Sequence, residues 1–154
     1  MMDKADRILL EELQADSRRP IVELAEHAGL SSSACHRHIR MLENEGYIEG
    51  YSARLDPERL GLGLHALVEI SLTRQSREAM NAFEDAVGRF DDILSCDLTS
   101  GSADYVIRVA APDLAAFDDI HRNCLAQLPG VSAMRTSFVI RQIKPWRGYP
   151  VPER

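Results

Sequence analysis

Ser33, His36, Arg37 and Arg40 stand at i, i+3, i+4 and i+7 within the segment SSSACHRHIR. On a helix that spacing gathers all four on one face. Two guanidinium forks, an imidazole and a hydroxyl make a set of positive charge and hydrogen-bond donors suited to a polyanion. An arginine fork matches the O6/N7 edge of guanine, and serine or histidine can reach a base or a phosphate. Cys35, Ile39 and Leu42 fall on the opposite face and read as core. On a generic helix such a face is solvated surface; it is within the helix-turn-helix setting read below that Ser32, Ser33, His36, Arg37 and Arg40, with Arg54 beyond the helix end, are the expected DNA-contacting residues.

Other groupings carry less chemistry. Cys35 and His38 lie three apart and can share a helix face, but two ligands are too few for a structural metal. A core thiol beside a partly buried imidazole is the simpler reading, and neither a metal nor a cofactor is expected. The acid pairs Asp91-Asp92 and Asp118-Asp119 read as solvated charge at a helix end and on a helix surface. No Ser-His-Asp order, phosphate-binding glycine loop or zinc motif stands out.

The elements that position the polar face can be read around it. Ala5, Ile8, Leu9 and Leu13 repeat at helical spacing over residues 3–14, with Asp3 and Asp6 in the first turn where negative charge suits the helix dipole. Pro20 opens a second helix carrying Ile21, Leu24, Ala25 and Ala28, and Gly29 is a natural left-handed stop. Ser31 is a good N-cap for a third helix over residues 32–44, ended by Gly46. Residues 47–55 then read as a small two-stranded wing. Helix, tight turn, helix is the grammar of a DNA-reading module.

The segment DPERLGLG, residues 56–63, breaks the pattern with a proline and paired glycines. After it the period falls to two over residues 64–73. Met80, Phe83, Val87 and Phe90 mark a helix. Strands follow over residues 94–98 and 105–109, on either side of Ser100-Gly101-Ser102-Ala103. Leu114, Phe117, Ile120, Cys124 and Leu128 mark another helix, and residues 134–143 a last strand. The order β-α-β-β-α-β is the ferredoxin-like pattern, with two helices on one face of a four-stranded sheet. Something must cover the other face, and a second copy of the chain is the simplest cover. The expected organisation is a helix-turn-helix domain at 1–55, a linker at 56–63, a ferredoxin-like domain at 64–144 and a Pro-rich tail at 145–154.

Bulk properties bound these readings. The 154 residues are 45% hydrophobic and 27% charged, ordinary for a soluble globular protein, with no apolar run of membrane length. The charged start MMDKADRILLEE lacks a signal-peptide core, so a cytoplasmic location is expected. Three isolated cysteines point to reduced thiols rather than a disulfide framework. The net charge of −6 runs against nucleic-acid binding, yet the distribution favours it. Arg18, Arg19, Arg37, Arg40 and Arg54 cluster at or near the proposed reading unit, with His36 and His38.

In order along the chain stand Asp6-Arg7-Ile8-Leu9, Leu24-Ala25, Gly29-Leu30-Ser31, Cys35-His36-Arg37, Leu42-Glu43-Asn44-Glu45-Gly46-Tyr47-Ile48 and Gly50-Tyr51-Ser52-Ala53. Then come Gly101-Ser102-Ala103-Asp104-Tyr105, Leu128-Pro129-Gly130-Val131 and Ile143-Lys144. Each motif is weak alone. As an ordered set over nearly the whole chain they resemble the Lrp/AsnC, or feast/famine, regulators. The resemblance implies an α+β protein: an N-terminal winged helix-turn-helix plus a C-terminal ferredoxin-like βαββαβ effector and dimerisation domain. It implies a sequence-specific transcriptional regulator of double-stranded DNA that forms a homodimer assembling to an octamer and responds to a small effector, usually an amino acid.

Carried over by position, the effector cleft takes Gly101, Ser102, Ala103 and Asp104 from one loop, Leu114 nearby, and Ser137, Phe138 and Val139 from a strand. On spacing alone the loop is a hairpin turn with a capping aspartate, although Gly101 can take a positive φ and Asp104 can accept from an ammonium group. There is one departure: the family most often carries arginine where His38 stands, and histidine there weakens one expected cationic contact and allows for pH sensitivity near neutrality. A rival from another class is a tetrapyrrole (sirohaem-type) decarboxylase, since some of these enzymes share the two-domain architecture. His36, His38, His65 or His121 would then serve a porphyrin carboxylate.

Overall fold

The computed structural model describes residues 2–153, which fold as two compact units. One comprises the chain up to Arg54 together with the segment from Ile143 onward, and the other is Leu55–Gln142.

The first unit holds α1 (Lys4–Ala15), α2 (Ile21–Ala28) and α3 (Ser32–Asn44). Asp3 caps α1, its carboxylate accepting from the Asp6 N–H, while the Asp6 carboxylate accepts from the Asp3 N–H. That backbone donor holds the Asp3 carboxyl below its ordinary value. α2 stops at Gly29, whose φ of 68° is a conformation that a Cβ disfavours. α3 starts at Ser31, which accepts from the Ala34 N–H at 3.2 Å. Leu9, Leu24, Ala25, Cys35 and Leu42 form the buried core.

One polar pair lies inside this unit. Asp6 is only 1% exposed, and His38 Nδ1 sits 2.7 Å from its Oδ1. His38 therefore faces α1 as the partly buried imidazole that the sequence suggests. Its partner is Asp6 rather than Cys35.

The wing is also corrected. No strand forms over residues 47–55; the segment is irregular, and the Tyr51 hydroxyl returns to α3 to donate to Glu43 at 2.8 Å. Burial, with Glu43 adding to it, pushes the Tyr51 hydroxyl up to about 12.

The second unit contains β1 (Leu64–Leu72), α4 (Arg77–Val87), β2 (Ile93–Leu98), β3 (Tyr105–Ala111), α5 (Leu114–Asn123) and β4 (Val131–Phe138). The sheet order is β2-β3-β1-β4, antiparallel throughout, as the ferredoxin-like pattern requires. The last strand thus runs earlier than the residues 134–143 read from the sequence. Ala66, Val68, Ile70 and Leu72 of β1 and Tyr105, Ile107, Val109 and Ala111 of β3 are buried with Phe83 of α4 and Phe117 of α5. The alternate residues, among them Leu67, Glu69, Val106, Arg108, Arg135 and Ser137, occupy the other face, which no element of this unit covers. There Arg135 donates to Glu69 across the β1–β4 pair at 2.6 Å.

No helix among the described residues is long and apolar enough to cross a membrane. All three cysteines are free, and burial raises the thiols of Cys96 and Cys124 to about 11.

His38→Ala leaves one oxygen of a buried carboxylate without its donor, at a cost of about 1–3 kcal/mol. A urea unfolding curve of the variant is expected to shift to a lower midpoint with the same slope. An unmoved midpoint would show that the pair adds nothing to stability.

Candidate functional site

Two surfaces collect the residues singled out by their chemistry. The first is the outer face of α3. Ser32, Ser33, His36, Arg37 and Arg40 are all exposed, while Cys35 and Leu42 are buried beneath them. Ser33, His36, Arg37, Arg40, Met41, Asn44 and Glu45 line an open concavity of about 730 Å³. The spacing therefore brings the four residues of the polar stripe onto one accessible surface. Neither Arg37 nor Arg40 is held in an ion pair among the described residues, so both forks are free for an outside acceptor. Arg54 is exposed in the irregular segment after α3 and belongs to no regular element.

The turn before α2 adds to this surface chemistry. Pro20 stands at the N-cap and no side chain caps the helix, which leaves first-turn N–H groups of α2 open to an anion. Arg18 is exposed beside them. Arg19 is not available in the same way, because Glu12 holds it at 2.8 Å and also holds His27 at 3.1 Å.

A cluster the sequence reading missed is Asp3, Asp6 and His38, whose ligand atoms all lie within 4.8 Å of one another. The signal was the capping box Asp3-x-x-Asp6, but only the fold brings His38, 32 residues on, against it. The cluster's oxygens are engaged with one another's N–H groups and with the imidazole, so the arrangement is a structural knot.

The second surface is the proposed effector cleft, and the structure separates its residues. Gly101, Ser102, Ala103 and Asp104 lie in the β2–β3 turn, beside Ile70 and Leu72 at the end of β1. Leu114, Ser137, Phe138 and Val139 lie at the start of β1: Ala111 pairs with Leu64, Ser137 with Leu67, and the Val139 N–H donates to the His65 carbonyl. At about 3.3 Å per residue the two groups stand roughly 20 Å apart along β1. Ser137 and Phe138 also face opposite sides of the sheet. Phe138 packs edge-on against Phe117, with ring centroids 5.1 Å apart, on the helix side.

The loop itself is well tied. Asp104 Oδ2 accepts from the Leu72 N–H at 2.7 Å and from Gln75 Nε2 at 3.2 Å. Thr99 donates to the Ala103 carbonyl at 2.8 Å. Ala103 is buried, while Gly101 and Ser102 are exposed. Gly101 does not use its freedom to take a positive φ, and a Cβ there would meet nothing within 4 Å. Its lack of a side chain is thus not required by its own subunit.

Comparisons with known proteins cover both surfaces. Residues 2–49 match a winged helix-turn-helix DNA-binding family, and residues 65–149 match the Lrp/AsnC ligand binding domain. The chain is similar to the leucine-responsive regulatory proteins of Klebsiella pneumoniae and of Escherichia coli strain K12. Each is 38% identical over 143 residues, covering 93% of this chain and 87% of the relative. Among solved structures it resembles a transcriptional regulator from Neisseria meningitidis in complex with L-Met. That match has 34% identity and a TM-score of 0.88, covering 94% of each chain. It also resembles an AsnC family regulator from Agrobacterium tumefaciens, at 32% identity and a TM-score of 0.90 over 97% of each chain.

Asp104→Ala strips the Leu72 N–H of its acceptor and is expected to cost about 1–3 kcal/mol. A thermal melt followed by circular dichroism checks it. A wild-type midpoint would mean that water replaces the carboxylate at no cost.

Proposed function

The chain belongs to the Lrp/AsnC family of transcriptional regulators, and on that premise we propose how its two units divide the work. The protein is a DNA-binding transcriptional regulator with an amino-acid-binding C-terminal domain. It is not an enzyme: the relatives are regulators, which sets the tetrapyrrole decarboxylase alternative aside.

α3 enters the major groove, where Arg37 and Arg40 read base edges while Ser32, Ser33 and His36 contact bases or phosphates. Arg54 contacts the backbone beyond the end of α3. The observation that carries this reading is the exposed face of α3, whose two arginines have no intramolecular carboxylate partner among the described residues. With its DNA, the protein works in the cytoplasm.

The effector is a small apolar amino acid, and its site is built by two copies of the chain. Three observations support this. The loop residues 101–104 and the group Leu114, Ser137 and Val139 sit at opposite ends of one sheet, so a single copy cannot close a cleft around one small molecule. The open sheet face carries Leu67, Val106 and Ala133 around the Glu69–Arg135 pair and lacks a cover within its own unit. Leu114 and Phe138 are large apolar residues left 62% and 41% exposed. A homodimer formed on the sheet face, assembled further to an octamer, covers the apolar face and brings one copy's loop to another's Leu114. Asp104 Oδ1, which makes no hydrogen bond among the described residues, is the acceptor for the ammonium group of the effector. Effector binding then biases a subunit interface, and through it the spacing of the DNA-reading helices.

Arg37→Ala and Arg40→Ala are each expected to weaken binding to the DNA just upstream of the protein's own gene by about 1–3 kcal/mol, read by gel-shift titration. Unchanged affinity in both variants would refute α3 as the reader. Gly101→Val is expected to fold normally, yet to change the assembly size seen by light scattering, or the response of the gel shift to leucine and methionine. A variant identical to wild type in assembly and in effector response would remove the loop from the site.

A further inference from the structure

The C-terminal segment does not hang free. Gln14, in the last turn of α1, donates through Nε2 to the Tyr149 carbonyl at 2.9 Å and accepts from the Tyr149 N–H at 2.7 Å through Oε1. One carboxamide thus meets both backbone groups of one residue, much as a neighbouring strand would. Gly148 makes the approach possible. Its φ is 105°, and a Cβ there would drive into the Gln14 carboxamide. Trp146 and Tyr149 pack edge to face with ring centroids 4.8 Å apart, and both stay largely exposed. The segment groups with the N-terminal unit, at the helix end that runs through Asp16 and exposed Arg18 into the uncapped start of α2.

Its composition is unlike the rest of the chain. Residues 143–153 read IKPWRGYPVPE, with three prolines and two cations against the single acid Glu153, in a protein of net charge −6. Lys144 and Arg147 are exposed, and neither makes an ion pair among the described residues. The clasp therefore adds two unneutralised cations and two exposed rings to the unit whose other cations outside ion pairs, among the described residues, are Lys4, Arg7, Arg18, Arg37, Arg40 and Arg54.

We infer that residues 143–153 form a second DNA-contacting element: an arm that Gln14 and Gly148 hold on the helix-turn-helix unit, so that Lys144 and Arg147 meet the phosphate backbone flanking the site read by α3. The inference rests on the reading of that unit as the DNA binder. Backbone contacts add affinity and salt dependence without base preference. Within the arm the two cations supply the attraction, and the clasp reduces the conformational freedom given up when they meet the duplex.

The test uses the full-length protein on two duplexes of equal length, the segment upstream of its own gene and a scrambled sequence, titrated over a range of salt. The double variant Lys144→Gln/Arg147→Gln is expected to lower the slope of log affinity against log salt by about one to two, near 0.9 for each phosphate no longer neutralised, and equally on both duplexes. Gly148→Val keeps both charges but opens the clasp, and is expected to weaken binding to both duplexes with an unchanged thermal midpoint. If wild type binds and the double variant shows the wild-type slope, the arm is refuted while the helix-turn-helix reading stands. Wild-type affinity in Gly148→Val refutes the clasp as what places it. A wild-type protein that binds neither duplex at low salt refutes both the arm and the reading beneath it.

Discussion

The strand β1 is hydrogen-bonded on both sides, to β3 and to β4, and this double pairing constrains most of the C-terminal unit. With both edges used, only its two faces remain for packing. Alternate residues then have opposite fates. Ala66, Val68, Ile70 and Leu72 go under α4 and α5, while Leu67, Glu69 and Ser71 are left on a face that the subunit cannot cover. The same strand separates the two groups of proposed effector residues by much of its length. The open sheet face and the separation of the two groups are therefore two consequences of one ladder. An apolar, partly charged sheet face left open in water invites an occupant of the same shape, which an isologous contact would supply in the proposed homodimer.

The N-terminal unit solves a related problem with polar groups. α3 must bury one side firmly enough that the other is presented in a fixed orientation. Cys35 and Leu42 supply apolar burial, which is non-directional. The His38–Asp6 hydrogen bond is directional, and it joins the middle of α3 to the first turn of α1. Asp6 itself is immobilised by the reciprocal cap with Asp3. A slip of α3 along its axis breaks a buried hydrogen bond as well as shifting methyl groups, so the pair gives the face carrying Arg37 and Arg40 a preferred register.

Much of this is legible in the residues. The three N-terminal helices, the stop at Gly29 and the cap at Ser31 follow from local chemistry acting within a few positions, and the structure has them at those positions. The β-α-β-β-α-β order is equally legible, because periods of two and of 3.6 are local signals. What is not legible depends on partners distant in sequence. Nothing near His38 announces Asp6, and nothing near Gly148 announces Gln14 at the far end of the chain. The residues of YIEGYSARL suit strands, which is why the sequence suggests a wing. The segment is instead irregular, with the Tyr51 hydroxyl bonded to Glu43 of α3. The effector residues read as one cleft because a resemblance carries positions and not distances. Only the strand register shows that the two halves stand at opposite ends of the sheet.

An acidic protein that binds DNA raises a question of range. At physiological salt the Debye length is about 8 Å, so carboxylates farther away than that are largely screened from a bound phosphate. Net charge then matters less than which side chains lie within that distance. Carboxylates that pair with the protein's own cations are neutralised locally, as Glu69 is by Arg135 and Asp118 by Arg122. Among the described residues Arg37, Arg40 and Arg18 are left unpaired, and so are Lys144 and Arg147. A net charge of −6 gives no long-range attraction to a polyanion, so long DNA competes weakly for the chain. Affinity must instead come from placing each cation and from adding several copies of the unit on one stretch of DNA, where the second contact is intramolecular and benefits from a high effective concentration. On this argument the negative charge is compatible with DNA binding and favours selectivity. In the proposed assembly, recognition depends on the number of copies on the DNA, and that number is what an effector bound between subunits would change.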